Sequence, residues 1–267
     1  MSYQIIKPEI NSVPSATWSI LKKSWLFWGL FLGCIAGAFI FSALEQAVLL
    51  QILIFGLIGQ VSYVLNKVRT SFWKEVAVAN GWNYAEASDV NQESGIMFRQ
   101  GHSNFIKNKI TGSIDGRQFR IYNYQFMIGS GKSSTTYQYI VFTFKFKGSF
   151  PHMYLNNSDN SYNINIGEKI PLPSELEKKF TLSSPKEYEI ETLEIFTEDI
   201  LAKLLDSGLN HDVELVGQEV LMFTEGNVNS FKELEKEFNK ALTLEDLLDE
   251  KLDKFKFEKI GDMSHTL

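Results

Sequence analysis

Two apolar stretches near the amino end constrain this chain more than anything else in it. Residues 25–44 read WLFWGLFLGCIAGAFIFSAL and residues 47–65 read AVLLQILIFGLIGQVSYVL, and neither contains a charged residue. About 20 apolar residues in a helix match a hydrocarbon layer roughly 30 Å thick. With only Glu45 and Gln46 between them, the two runs predict a helical hairpin that crosses a bilayer twice. Core helices of a soluble protein are also apolar all round, but two consecutive ones of this length are unusual. A cleaved signal peptide fits less well. Lys22-Lys23 precede the first run and Ala36-Gly37-Ala38 has the small residues of a cleavage site. The run is nevertheless longer than an h-region, and a second span follows it.

The flanks set an orientation. Lys22 and Lys23 precede the first run, Lys67, Arg69 and Lys74 follow the second, and the connecting turn carries only Glu45. Positive residues stay on the cytoplasmic side, so a multi-pass protein of the inner (plasma) membrane is expected, both termini cytoplasmic and the turn outside. Trp25, Trp28 and Tyr63 fall near the cytoplasmic ends, where amphipathic rings settle at headgroups. The single cysteine, Cys34, lies inside the first run, so no intramolecular disulfide is expected.

Within the first run, Gly29, Gly33 and Gly37 recur every fourth residue. They fall within about 80° of one another on a helix and make a smooth groove for close packing. The groove suits the chain's own second span or another copy of the first, and its spacing does not choose between them. Gln51 and Gln60 fall on nearly opposite faces of the second run, so no single polar stripe lines a conduit.

Charge becomes informative beyond the anchor. Residues 1–69 hold five basic and two acidic residues, which leaves 21 basic against 30 acidic in the remainder, a net of −9. Nucleic acid demands a basic footprint and is excluded as a partner. The expected organisation is a cytoplasmic segment (1–23), a transmembrane hairpin (24–66), a cytoplasmic α+β domain (67–229) and an acidic helical segment (230–267).

The second run continues as a helix into SFWKEVAVANGWNY, stopped at Gly81. Residues 110–147 read as three antiparallel strands. Asp115-Gly116 makes the first tight turn, and Phe119, Ile121 and Asn123 share one face opposite Arg120, Tyr122, Tyr124 and Phe126. The stretch GSGKSST (129–135) mimics a phosphate-binding loop. That motif needs a glycine at the position held by Phe126 and a helix after Lys132, whereas TYQYIVF follows, so a hairpin loop is expected. The segment NNSDNSYNIN (156–165) reads as a solvated loop, and FTLSS and EYEIETLEIF as strand-like pieces. Thr197-Glu198-Asp199 cap a helix in EDILAKLLDSG, with Gly208 beyond its end, and residues 212–226 read as a hairpin turning at Gly217-Gln218. Ser230 with Glu233 forms a capping box for a helix, and Thr243–Asp246 offers a second start.

These parts resemble a diffuse group of uncharacterised bacterial two-span membrane proteins with a cytoplasmic α+β domain. The resemblance rests on residues 72–84 with Asn80-Gly81-Trp82, on IDGRQFRIYNYQF…GSGK…YIVFTF, and on FTLSSPKEYEIETLEIFTEDILAKLL. It implies architecture and no activity.

Catalytic signatures are sparse. His102, His152, His211 and His265 show no helical metal-site spacing; His102 and His211 read as surface residues and His152 as a partly buried one. Glu187, Glu189, Glu191 and Glu194 read as a solubilising row along a strand. No cofactor fingerprint or nucleophile elbow is present, and no cofactor is expected. The expectation is a membrane-anchored, non-catalytic binding or scaffolding module, partnered by the lipid bilayer and by a protein or by itself through the first span. A membrane-tethered enzyme is the alternative, with an oligomeric pore or transporter accessory behind it.

Overall fold

The structure is a computed structural model that describes residues 3–44 and 47–252. The Glu45-Gln46 turn, His265 and the end of the acidic segment lie outside the described residues. The chain divides into two compact units. One holds Ile6–Asn80 and Asn229–Leu234; the other holds the described residues of Met1–Ile5, Gly81–Val228 and Glu235–Leu267.

The first unit is helical: α1 (Val13–Leu21), α2 (Trp25–Leu44) and α3 (Ala47–Ala79). Pro14 sits at the first turn of α1, where a missing N–H costs nothing, and Val13, Thr17 and Leu21 make its buried stripe. α2 runs antiparallel to the first part of α3. Leu53 packs 3.6 Å from where a Gly33 side chain would begin, Leu30 packs 3.5 Å from the same point on Gly56, and Gln60 Nε2 donates to Ser24 Oγ at 2.9 Å. Residues 6–12 return along the far end of α3: Ile6 N donates to Asn80 Oδ1 (2.7 Å) and Ile10 N to Glu75 Oε2 (2.9 Å).

One helix of the expected hairpin, Val48–Ala79, is by itself long and apolar enough to cross a membrane. Among the described residues, the Trp25–Ala38 part of α2 meets that measure only together with α1, as a pair bent by 81°. The helix predicted beyond the second run is present, and Gly81 ends it with φ +69°. Its aromatics Phe72 and Trp73 are fully buried.

The second unit is α+β, built on a seven-stranded antiparallel sheet. Its elements are β1 (Asn83–Ser88), β2 (His102–Ile114), β3 (Arg117–Ile128), β4 (Thr135–Asn157), β5 (Glu168–Ile170), α4 (Ser174–Glu177), β6 (Phe180–Ser184), α5 (Glu189–Ile195), α6 (Glu198–Asp206), β7 (Asp212–Glu225) and, from Glu235 on, α7 (Phe231–Leu252). β1 to β4 form a meander. The long β4 is the spine: β7 pairs along one edge, while β3 and then β6 share the other.

Alternation in β3 makes both sheet faces core. Tyr122, Tyr124 and Phe126 pack with Met97, Phe98 and Ile164. On the opposite face Phe119 meets the Phe238 ring of α7 at 5.3 Å and the Trp82 ring at 4.9 Å. Each such ring contributes roughly 1.5–3 kcal/mol on burial, so a sheet covered on both faces gains more than a one-sided one.

Three expectations are corrected here. Residues 212–226 are one strand and not a hairpin: Gly217 (φ +59°) pairs with Phe150 at a register shift where β4 is itself irregular, which is bulge geometry. The glutamate row 187–194 lies in a short helical turn and α5, with Thr192 and Ile195 buried at helical spacing. Glu189 and Glu191 occupy the first turn of α5, where negative charge complements the helix dipole. Thr243 starts no second helix; its Oγ1 donates to Asn239 O at 2.9 Å within a continuous α7.

Candidate functional site

A cleft of about 690 Å³ opens beside the β2–β3 turn. Asp115 and Gly116 both take positive φ (51° and 81°), as a two-residue hairpin turn of the mirrored type requires. That turn places Arg117 at the start of β3. The buried rings of Phe146 and Phe150, edge to face at 5.7 Å, lie under the opening, and Lys145, Gln118 and Gln218 line it. Volumes of roughly 300–1,000 Å³ are typical of small-ligand sites.

α7 closes the cleft with carboxylates. The Arg117 guanidinium contacts Glu245 and reaches Asp246 at 2.7 Å. Its hydrogen bond to Asp246 helps hold Arg117 above its ordinary pKa. Burial pushes the Glu245 carboxyl up to about 7, with Arg117 opposing and Asp249 and Asp246 adding to the rise. Paired donors and acceptors above an aromatic floor suit a small ligand, or a peptide edge, with both polar and apolar parts.

Other buried charges are consumed internally. Glu93 accepts from Lys109 (2.7 Å), Arg120 (2.9 Å) and Tyr122 Oη (2.9 Å), and Arg120 also holds Glu219 at 2.8 Å. Glu214, fully buried in β7, accepts from Ile96 N and from His152 Nε2, each at 2.7 Å. Asp212 accepts from Asn157 N at 2.6 Å. Burial pushes the Asp212 carboxyl up to about 7, against the lowering effect of Asn157, Asn160 and Tyr154.

The asparagine-rich segment is solvated only in part: Ser158, Asp159, Ser161, Asn163 and Asn165 are exposed, as expected of a loop. Asn156, Asn157 and Asn160 are buried. Asn156 Oδ1 accepts from Ile164 N (2.9 Å), Asn157 Nδ2 donates to Leu209 O (2.8 Å), and Asn160 Oδ1 accepts from Glu225 N (3.1 Å). A buried amide satisfies backbone groups that a strand ladder leaves open, which is why polar residues occupy this interior position.

The histidines stay apart. His102 is exposed and donates through Nε2 to Gly129 O at 2.7 Å, and His152 is half-buried on Glu214. His211 is fully buried beneath Phe142, not on the surface as expected; burial, with Lys240 nearby, pushes its pKa down to about 3. Among the described residues no group of three or more ligating side chains is placed to hold a metal ion. Lys132 is exposed in the β3–β4 loop, where Gly129 (φ +86°) brings its α-carbon against Ser133 O, so the stretch forms a turn before a strand.

Of the three helix-packing glycines, Gly33 faces Leu53, Gly37 is buried, and Gly29 is exposed with open space above it. None of the cleft residues was singled out from sequence as a functional residue; Asp115, Gly116 and Gln218 entered only as turn residues. Arg117 and Glu245 are far apart in the chain.

The fold thus defines an α+β protein with a two-faced antiparallel sheet, a mixed-charge cleft and a separate unit of apolar helices. No protein-family model matches the chain, and no curated protein matches it. Among solved structures the chain is similar to the crystal structure of the mycobacterial trehalose monomycolate transport factor A, TtfA. Identity is 14% and the TM-score 0.48, covering 68% of this chain and 94% of that one.

Proposed function

We propose that this chain is a membrane-anchored, non-catalytic binding module facing the cytoplasm, with α2 and the first part of α3 as a hairpin across the bilayer. The observation that carries the anchorage is the exposed apolar surface of that helix pair. Leu26, Phe31, Leu32 and Ile35 on α2, and Val48, Leu49, Ile52, Phe55 and Ile58 on α3, all stay exposed. Monomeric soluble proteins rarely expose contiguous apolar patches beyond a few hundred Å². Lipid is the solvent in which such a surface costs nothing. The two-span form agrees with the architecture of the bacterial group that the sequence resembles, and the basic flanks support the reading that both termini are inside.

The binding reading rests on the cleft. Its polar rim is open while Glu93 and Glu214 are held by internal partners, so recognition is the task left to Lys145, Gln118 and Gln218. A second reading is a tethered enzyme: Glu245 lines the cleft beside the Arg117 guanidinium, and burial pushes its carboxyl up to about 7, the range of a general acid or base.

Two measurements test this. Alkaline carbonate should leave the full chain in the membrane pellet; release into the supernatant sinks the anchorage. The tagged protein, extracted in mild detergent, should retain a molecule that mass spectrometry identifies and that the Lys145→Glu and Gln218→Lys variants lose. A bound molecule retained equally by both variants removes the cleft from the account. Chemical turnover of that molecule, abolished by Glu245→Gln, replaces the binding module with the enzyme.

A further inference from the structure

We propose that α1 is a membrane-surface helix, lying along the headgroup–acyl boundary and held there at a fixed elbow to α2; this rests on the reading that α2 crosses the bilayer. The angle between them is 81°. A helix nearly perpendicular to a spanning one runs along the bilayer plane.

The elbow is pinned by contacts on both sides. Ser24 N donates to Leu21 O at 2.9 Å to close α1, and Ser24 Oγ accepts from Phe27 N at 3.3 Å to open α2. The same hydroxyl accepts from Gln60 of α3. Trp28 Nε1 reaches back to Lys22 O at 3.0 Å.

Trp18 tells which side of α1 meets lipid. It is half exposed, yet one ring edge packs on Phe27 of α2 at 6.1 Å, so it points the way α2 descends. Phe27 continues that contact to Trp28 and Phe31. Trp25, which is 84% exposed at the head of α2, adds a third indole near the bend. Indoles favour the interface because the ring is apolar and its N–H finds water or headgroups. Lys22 and Lys23 are exposed at the bend, where their ammonium groups reach lipid phosphates.

The competing geometry treats α1 and α2 as one broken span. It would sink Lys22 and Lys23 into hydrocarbon together with Ser12, Ser15 and Ser19, and a central lysine alone costs about 2.5–3.5 kcal/mol on insertion scales. α1 also buries Val13, Thr17 and Leu21, so its inner face is already occupied; of its two exposed large apolar side chains, Trp18 and Ile20, Trp18 is the one that packs on α2.

The test uses the full chain in proteoliposomes, in a Cys34→Ser background, with one fluorophore-labelled cysteine at a time. Lipids carry a nitroxide quencher near the headgroup or deep in the acyl chain, and iodide serves as the aqueous quencher. Trp18→Cys should be quenched by the shallow nitroxide and lose most of its iodide quenching. Ile20→Cys, about 200° around the helix, should keep its iodide quenching. Leu32→Cys on α2 should respond to the deep nitroxide. Iodide access at Trp18→Cys equal to that at Ile20→Cys, with Leu32→Cys still deep, overturns the surface helix alone. Deep quenching at Trp18→Cys also overturns it, in favour of the broken span. Aqueous behaviour at Leu32→Cys removes the anchor itself. If Trp18→Cys does not fold, Ser15→Cys, one turn away, reports on the same side with the same outcomes.

Discussion

Asp212 is a fully buried carboxyl that one backbone N–H and two side chains do not compensate. Its folded pKa, about 7, stands above an unfolded value of about 3.9, so the folded state holds the proton longer. The stability it contributes is complete below about pH 4 and drains away as pH rises towards 7. His211 slopes the other way: its folded pKa is depressed to about 3, so its contribution is lost as pH falls below about 6.5. The two oppose each other between about pH 4 and 6.5, and a wild-type curve alone would hide both. Asp212→Asn separates them, because an amide oxygen still accepts from Asn157 N and cannot titrate. Between pH 5 and 7 the wild type should lose up to about 1.4 kcal/mol per pH unit relative to Asp212→Asn in thermal unfolding of the detergent-solubilised chain. Parallel pH profiles would refute it. Gly112 poses a simpler residue-scale question. A Cβ there would lie 2.6 Å from Trp82 Cδ1 and 2.8 Å from Phe119 Cζ, in the best-packed corner of the sheet. Gly112→Ala should therefore lose about 1–3 kcal/mol by overpacking, read as a lower denaturation midpoint; an unchanged midpoint would mean the corner yields.

Elements were legible where their signal is local. Thr197 caps α6 as its sequence predicts, its Oγ1 accepting from Ile200 N, and Glu198 and Asp199 fill the first turn. Thr197→Ala should cost about 1 kcal/mol in chemical denaturation, whereas Thr197→Ser should cost almost nothing. The β2–β3 hairpin was equally readable, because Asp115-Gly116 carries its geometry in two adjacent residues. β7 was misread because a glycine between apolar runs is ambiguous: a turn and a bulge both want positive φ. The choice is made by β4, on which both halves of β7 pair, and no residue near Gly217 announces that. α5 was misread because alternating glutamates match period two, while the buried pair Thr192 and Ile195 shows the helical period only after folding. The asparagines of 156–160 looked solvated since their partners, Leu209, Asp212 and Glu225, lie far along the chain. The cleft was illegible for the same reason: its defining contact joins Arg117 at a turn to Glu245 on the last described helix.

At the scale of the molecule, α3 changes solvent along its length. Up to Tyr63 none of its described apolar side chains is buried and many are exposed; from Val68 on, Val68, Phe72, Trp73, Val76 and Ala77 are buried, and Lys67, Arg69 and Lys74 appear among them. At 1.5 Å per residue the whole helix is about 50 Å long, well beyond a hydrocarbon layer of roughly 30 Å, so only part of it lies in lipid. Phe55 and Val78 make the distinction sharp, because they are exposed almost equally, 71% and 70%, on the same helix. About 35 Å of helix separates them, so a bilayer that holds the Leu49–Ile58 face leaves Val78 in water. An exposed apolar side chain in lipid is solvated by its surroundings; one in water is a tolerated singleton. Replacing each with lysine therefore has different consequences. Phe55→Lys places an ammonium near the middle of the span, at about 2.5–3.5 kcal/mol on insertion scales, and should markedly reduce the carbonate-resistant fraction. Val78→Lys should leave that fraction unchanged and, if anything, improve solubility after detergent extraction. If both lysines release the protein alike, or neither does, the boundary drawn between Tyr63 and Val68 is wrong, and α3 is one continuous element in a single solvent.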